Sequence, residues 1–130
     1  MILLDTDVCV ELLRGNTRVV EQRRRVQDEV AISFMTVGEL YYGAAKSTRV
    51  DHNRSLVECF LVTVRCLQSG IAVMERFGTL KAGLVVRGEV LPDADILIAA
   101  TALTHCDLLV SGNGDHYARI PGLRTSNWIR

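Results

Sequence analysis

Three short apolar runs, set far apart along the chain, constrain its fold more than any other feature. Ile2–Leu4 is wholly Ile and Leu, Val30–Phe34 is largely β-branched and apolar, and Asp107–Val110 closes on Leu-Leu-Val. Each is too short for a stable helix and is apolar at consecutive positions, the mark of a strand buried on both faces. Between them the apolar residues recur at helical spacing. Strands separated by helices cannot pair as hairpins, and their long crossovers give a parallel sheet covered on both sides. The expected architecture is therefore α/β, with three layers and a central, mostly parallel sheet flanked by helices. A chain of 130 residues that is 48% hydrophobic can bury such a core as one domain, residues 1–130.

The helices can be placed from the same pattern. Asp7–Arg14 reads as a helix closed by Gly15, residues 17–28 as a polar surface helix, and Thr36 as the start of a helix carrying Val37, Leu40, Tyr41, Ala44 and Ala45. Residues 51–63 carry a stripe at Leu56 and Phe60, continued by Val64, and a short strand is expected at Arg65–Gln68. Ile71–Arg87 and Asp93–Thr104 are two further helices, the second preceded by Pro92. A last short strand can lie in the tail near Leu123 and Trp128, with Trp128 as a core anchor.

Fifteen basic and fifteen acidic residues cancel, so no global field draws this chain onto nucleic acid. The cysteines Cys9, Cys59, Cys66 and Cys106 form no C-x-x-C pair and each sits in an apolar pattern, which reads as small buried thiols. The apolar N-terminal run has no basic flank or cleavage site, and no stretch approaches the roughly 20 apolar residues of a membrane helix. A reduced, cytoplasmic protein without membrane attachment is expected.

The chemistry lies in the carboxylates. Asp5 and Asp7 end the first strand, Glu39 sits in a helix that buries its neighbours, Asp93 and Asp95 open "LPDADILIAATAL", and Asp115 follows the last core strand. Each has an ordinary explanation. Thr6 or Asp7 could cap the first helix and Asp93 the later one; Thr36-Val37-Gly38-Glu39 fits a capping box; Asp115 could be a turn residue. Asp95 resists such explanations. The residues after it are almost wholly apolar, and neither Leu91 nor Ala99, one turn away on either side, offers a cation. A buried carboxylate needs a partner. Ligands lie beyond the carboxyl ends of parallel strands, where Asp5 and the Ser111–Asp115 loop should both emerge. Several carboxylates there would repel one another unless a divalent cation joined them. All-oxygen donors favour Mg²⁺ or Mn²⁺, ions suited to hydrolysing phosphodiesters with an activated water.

Four segments together, "LLDTDVCVELL", "SFMTVGELYYGAAKS", "LPDADILIAATAL" and "LLVSGNGDHYARIPGLRTSNW", closely resemble the PIN-domain ribonucleases, and within them the VapC-type toxins of bacterial toxin–antitoxin pairs. The resemblance runs through essentially the whole chain. It implies Asp5, Glu39 and Asp95 as the core metal ligands and catalytic acids, with Thr6 and Asp7 beside the first acid and Asp93 and Ser111 as supporting residues. The fourth acidic position departs from the pattern: the run is Ser111-Gly112-Asn113, so either Asn113 or Asp115 could fill it. The resemblance further implies a metal-dependent endoribonuclease, a homodimer, and a small VapB-type antitoxin that blocks the site. The helices around Val37–Ala45 and Leu56–Val64 would form the walls of the antitoxin's groove.

Among the basic residues, the arginines of "EQRRRVQDE" fan around a helix and read as a solvated face. Arg14, Lys46, Arg87, Arg119 and Arg124 lie nearer the acidic end and are the candidates for RNA phosphate contacts, with His116 close by. Two other readings stand beside this one. "ILLDTDVCV" also resembles the first motif of haloacid-dehalogenase-type phosphatases, which would make Asp5 a nucleophile and Asp7 a general acid. A PIN-like module that only binds would leave the carboxylates without catalytic work.

Overall fold

The computed structural model describes residues 1–130. The elements follow one another as β1 (Ile2–Leu4), α1 (Thr6–Leu13), α2 (Thr17–Arg25), β2 (Val30–Ser33), α3 (Phe34–Ala45), α4 (Val50–Leu61) and β3 (Arg65–Leu67). After these come α5 (Ile71–Val86), α6 (Asp93–His105), β4 (Leu108–Val110), α7 (Gly114–Tyr117) and β5 (Thr125–Ser126). The five strands form one sheet in the order β3-β2-β1-β4-β5, and every neighbouring pair is parallel.

Alternation along β1 divides the core in two, because successive side chains of a strand point to opposite faces. Ile2 and Leu4 pack with Val8, Cys9, Val19, Leu40, Ala44 and Val57 of α1 to α4. Leu3 packs on the other face with Leu84 of α5 and Ile96, Ile98 and Ala99 of α6. The sheet is thus the middle of three layers, and the unbroken apolar strands are explained by burial on both sides. Trp128 is buried in the first of these clusters, as an anchor should be.

The topology also fixes where a ligand can bind. The chain builds outward from β1 to β2 and β3, then returns through α5 and α6 to lay β4 on the other side of β1. The register Leu4↔Val110 brings the ends of β1 and β4 level, so Asp5 and Ser111 leave the sheet side by side at its switch point.

Several expectations about helix boundaries are corrected. Asp5, rather than Thr6 or Asp7, caps α1. The helix α2 ends at Arg25, three residues short of the expected 28. Helix α3 begins at Phe34, not Thr36, because Ser33 is its cap and accepts the Thr36 N–H at 3.1 Å. Phe34, read as the apolar end of a strand, is the first residue of that helix and is 54% exposed. Asp93 does not cap α6, since Pro92 holds the cap position, and instead pairs with Lys81 at 2.9 Å on the surface. Of the cysteines, all free, Cys9 is buried but Cys59 is exposed on the outer side of α4. No helix is long and apolar enough to cross a membrane.

Candidate active site

Asp5 sits where β1 becomes α1, with its backbone still extended (φ −72°, ψ 162°). Its own N–H continues the sheet ladder by donating to the Val110 carbonyl at 2.9 Å. The side chain is therefore locked at the strand end and only 4% exposed. Oδ1 accepts the Thr6 N–H at 2.8 Å, and Oδ2 accepts the Ser111 hydroxyl at 2.7 Å. The Asn113 N–H in turn donates to Ser111 Oγ at 2.9 Å, which leaves the serine proton aimed at Asp5. Burial pushes the Asp5 pKa up, and the neighbouring Asp95 charge adds to that, while the Ser111 and Thr6 hydrogen bonds pull it back.

Glu39 is joined to Asp5 through Thr6. The Thr6 hydroxyl donates to Glu39 Oε1 at 2.6 Å and lies 3.0 Å from the Thr36 hydroxyl, which is free to donate to it. Ser33 Oγ stands 3.5 Å behind Thr36. Because Ser33 caps α3, Glu39 falls in the second turn and has no capping work. Its carboxylate is held toward the start of α1 by a line of hydroxyls, and the capping-box explanation does not hold.

Asp7 has both oxygens on backbone donors: Oδ1 on the Val8 N–H and Oδ2 on the Gly112 N–H, each at 2.8 Å. Burial, with the nearby Asp5 charge, pushes its pKa up to about 6. Asp7 therefore ties the first helix to the loop after β4. Glycine at position 112 is a steric requirement, since a Cβ there would stand 2.6 Å from Asp7 Oδ2 and 2.9 Å from Ile129 Cδ1.

Asp95 lies in the first turn of α6, partly buried, and finds a partner that helical spacing could not supply: His116 Nδ1 is 3.1 Å from its Oδ2. Its side chain keeps 20% of its surface, so it is less deeply buried than the run of apolar neighbours implied. The adjacent Tyr117 is 1% exposed. Its hydroxyl lies beside Asp5, near enough to help hold that carboxyl down, yet closes no hydrogen bond of ordinary length. Burial, with the Asp5 and Asp95 charges, drives the Tyr117 pKa far up, so this hydroxyl keeps its proton.

The remaining candidates fall into two groups. Asn113 and Asp115 line an open polar cavity of about 300 Å³ with His116, Asn127 and Arg130, and neither side chain bonds to Asp5, Glu39 or Asp95. Arg14 and Lys46 line a larger groove of about 570 Å³ together with Thr6 and Glu39. Arg87 and Arg119 are engaged elsewhere: Arg87 Nη2 donates to the Arg119 carbonyl and Arg119 Nη1 to the Val90 carbonyl, each at 3.1 Å. Arg124 is exposed beside β5. Sequence reasoning missed Tyr117 and the Thr36 hydroxyl, and gave His116 too little weight. All three lie within a turn of residues it did select; Tyr117 and Thr36 are buried, while His116 stays half exposed at the rim.

No three His, Cys, Asp or Glu side chains close around one point. The donor chemistry nevertheless fits a hard divalent cation. Asp5 carries a buried, repelled carboxylate with no Lys or Arg against it, Asp7 and Asp95 add to the negative field, and a buried hydroxyl beside Asp5 lacks a partner. A cation is what such a cluster is short of.

A family model for the PIN domain matches residues 2–123. The chain belongs to the PIN-domain family. Among its relatives, ribonuclease VapC2 of Haemophilus influenzae is 33% identical over 128 residues, covering 98% of this chain and 97% of that protein. The tRNA(fMet)-specific endonuclease VapC of Shigella flexneri is 30% identical over 127 residues, covering 97% and 96%. Among solved structures, VapBC2 from Rickettsia felis bound to a DNA fragment from its promoter superposes with a TM-score of 0.92 at 28% identity, covering 98% of this chain and 99% of that one. In this PIN domain the phosphatase reading fails on Asp7 as well. A general acid must be free to meet the substrate, and both Asp7 oxygens are bonded to backbone N–H groups.

Proposed function

We propose that this PIN domain is an endoribonuclease, the toxin of a toxin–antitoxin pair, and that it hydrolyses RNA with a divalent cation, Mg²⁺ or Mn²⁺, held by Asp5, Glu39 and Asp95. The observation that carries the reading is the buried Asp5 carboxylate at the switch point, pushed up in pKa and without a basic partner. Structure of this kind is costly to keep unless the charge is used. VapC ribonucleases among the relatives support the RNA substrate, and the VapBC assemblies support a small VapB-type antitoxin.

When bound, such a cation lowers the pKa of water and neutralises the phosphate. The protein's own side chains do the positioning. Ser111 fixes one Asp5 oxygen and the Thr6 N–H the other, so the carboxylate meets its ligand in a single orientation. Thr6 holds Glu39 in the same way, and His116 holds Asp95. Asp7 fixes the loop that carries Ser111, while Asp93, paired with Lys81 on the surface, acts at most at a distance. Asn113 or Asp115 takes the fourth position only if the loop turns its side chain inward. Arg14 and Lys46, which share their groove with Glu39, are placed to take RNA phosphates on entry.

That groove has apolar walls from Val10, Leu13, Leu40, Leu56 and Val57, and is the surface we assign to the antitoxin. Exposed Val85 and Val86 at the end of α5 suit the homodimer contact. The test is RNA cleavage by the purified chain with and without Mg²⁺ or Mn²⁺, alongside Asp5→Asn, Glu39→Gln and Asp95→Asn. Each variant should lose most cleavage and keep its fold. Cleavage that survives chelation, or a folded variant that cleaves normally, contradicts the proposal. Cation-independent stability in a chain that binds RNA without cutting it would favour a binding-only module.

A further inference from the structure

We infer that His116 is a nitrogen ligand of the same cation site, so that this chain selects Mn²⁺ over Mg²⁺. The inference rests on Asp5, Glu39 and Asp95 being the cation's carboxylate ligands. Asp95 is the one of the three whose side-chain partner is an imidazole, and no lysine or arginine competes for it. The side chains that the sequence offered for a fourth oxygen, Asn113 and Asp115, form no hydrogen bond to any of the three carboxylates. His116, between Asp115 and the buried Tyr117, does.

The spacing fits two ligands on one ion. Cation–ligand bonds of about 2.1 Å at right angles put neighbouring ligand atoms about 3 Å apart, and His116 Nδ1 lies 3.1 Å from Asp95 Oδ2, where a bound cation would take the place of the proton the two share in the cation-free chain. The imidazole is half exposed, and the backbone that carries it is held on both sides. The His116 N–H donates to the Asn113 carbonyl at 3.0 Å, and the next residue is anchored in the core. The buried Tyr117 hydroxyl, unpartnered beside Asp5, is an independent sign that this space is built for a polar ligand. Mg²⁺ demands an oxygen octahedron and gives up water reluctantly, whereas first-row transition ions accept imidazole nitrogen. A carboxylate set with one imidazole therefore shifts preference from Mg²⁺ toward Mn²⁺.

The experiment uses the full chain, stripped with chelator and titrated with Mn²⁺ alone or Mg²⁺ alone at fixed pH, following the unfolding midpoint. Pulsed electron paramagnetic resonance of the Mn²⁺ sample reports any coupling to a ligand nitrogen. Wild type should be stabilised at Mn²⁺ concentrations at least about tenfold below those of Mg²⁺, with ¹⁴N coupling present. Loss of a partner that merely orients a ligand costs roughly 10- to 100-fold in metal affinity, and loss of a ligand should cost at least as much. His116→Ala should therefore shift the Mn²⁺ curve by that factor, abolish the coupling and barely move the Mg²⁺ curve, while His116→Asp should abolish the coupling and narrow the gap between the two ions. Absence of ¹⁴N coupling in wild type overturns the inference even if His116→Ala fails to fold. So do Mn²⁺ and Mg²⁺ curves that His116→Ala leaves in place. If Mn²⁺ binding depends on Asp5 but not on His116, only this inference falls. If neither ion stabilises wild type, the cation reading of the site falls with it.

Discussion

Replacing Gly112 by alanine adds one methyl group to the site and tests how its loop is held. Gly112 does not have a positive φ, so the substitution brings no backbone strain and acts through space alone. The new Cβ would stand 2.6 Å from Asp7 Oδ2 and 2.9 Å from Ile129 Cδ1. Ile129 can rotate its terminal methyl away. Asp7 cannot move freely, because Oδ1 holds the Val8 N–H and Oδ2 the Gly112 N–H. Relief of the clash must break the second bond. A hydrogen bond to a charged group is worth about 1.5–3 kcal/mol, and overpacking by a methyl costs about 1–3 kcal/mol. The two overlap, since the movement that relieves one forfeits the other, so the expected loss is about 2 kcal/mol. For a chain of this length that lowers the unfolding midpoint by roughly 7 °C. Gly114→Ala, where no atom lies within 4 Å of the added Cβ, is the matched control and should stay within about 0.5 kcal/mol of wild type. Chemical denaturation of a double-mutant cycle with Asp7→Ala isolates the cause. Most of the Gly112→Ala cost should vanish in the Asp7→Ala background. An undiminished cost there, or a Gly112→Ala chain as stable as wild type, refutes the reasoning.

Three further outcomes follow from the same contacts. The metal-free chain should lose stability as pH rises from about 4 through about 6, because the raised Asp7 pKa lets the folded state keep a proton that the unfolded state has released. Solvent screening of this partly open group reduces the change to about 1–2 kcal/mol, and urea denaturation should show Asp7→Asn with a flatter profile. Thr6→Val should cost about 1–2 kcal/mol by chemical denaturation, since Glu39 loses the hydroxyl that holds it at 2.6 Å. Ser33→Ala should cost about 1 kcal/mol as the loss of the α3 cap, whereas Glu39→Gln should leave thermal stability nearly unchanged.

The parts of this molecule legible in its sequence are those governed by burial. Ile2–Leu4, Val30–Ser33 and Leu108–Val110 read as strands because both faces are covered, which leaves apolar runs whose one polar residue is Ser33 at the end of β2. The two-residue β5 and four-residue α7 carry no such pattern, since they exist through what β4 and the following loop offer them. The start of α3 is hidden in the sequence for a definite reason. Two hydroxyls, Ser33 and Thr36, compete for the cap, and an exposed Phe34 between them imitates the end of a strand. Asp5, Glu39 and Asp95 could be selected as carboxylates in apolar surroundings. Thr6 and Ser111 could be named as supporting residues through the family resemblance, but which carboxylate each one holds could not be read, because Ser111, Thr6 and His116 meet their partners only across the sheet.

The central claim is that Asp5, Glu39 and Asp95 work as one unit. Groups that do so lose activity together, so that removing one costs nearly as much as removing all. The most direct measurement is the single-turnover cleavage rate of one defined RNA by Asp5→Asn beside the triple variant Asp5→Asn/Glu39→Gln/Asp95→Asn, both checked for folding. The account predicts the same residual rate for the two. Losses that multiply from one substitution to the next would contradict it, and would mean that the three carboxylates act independently.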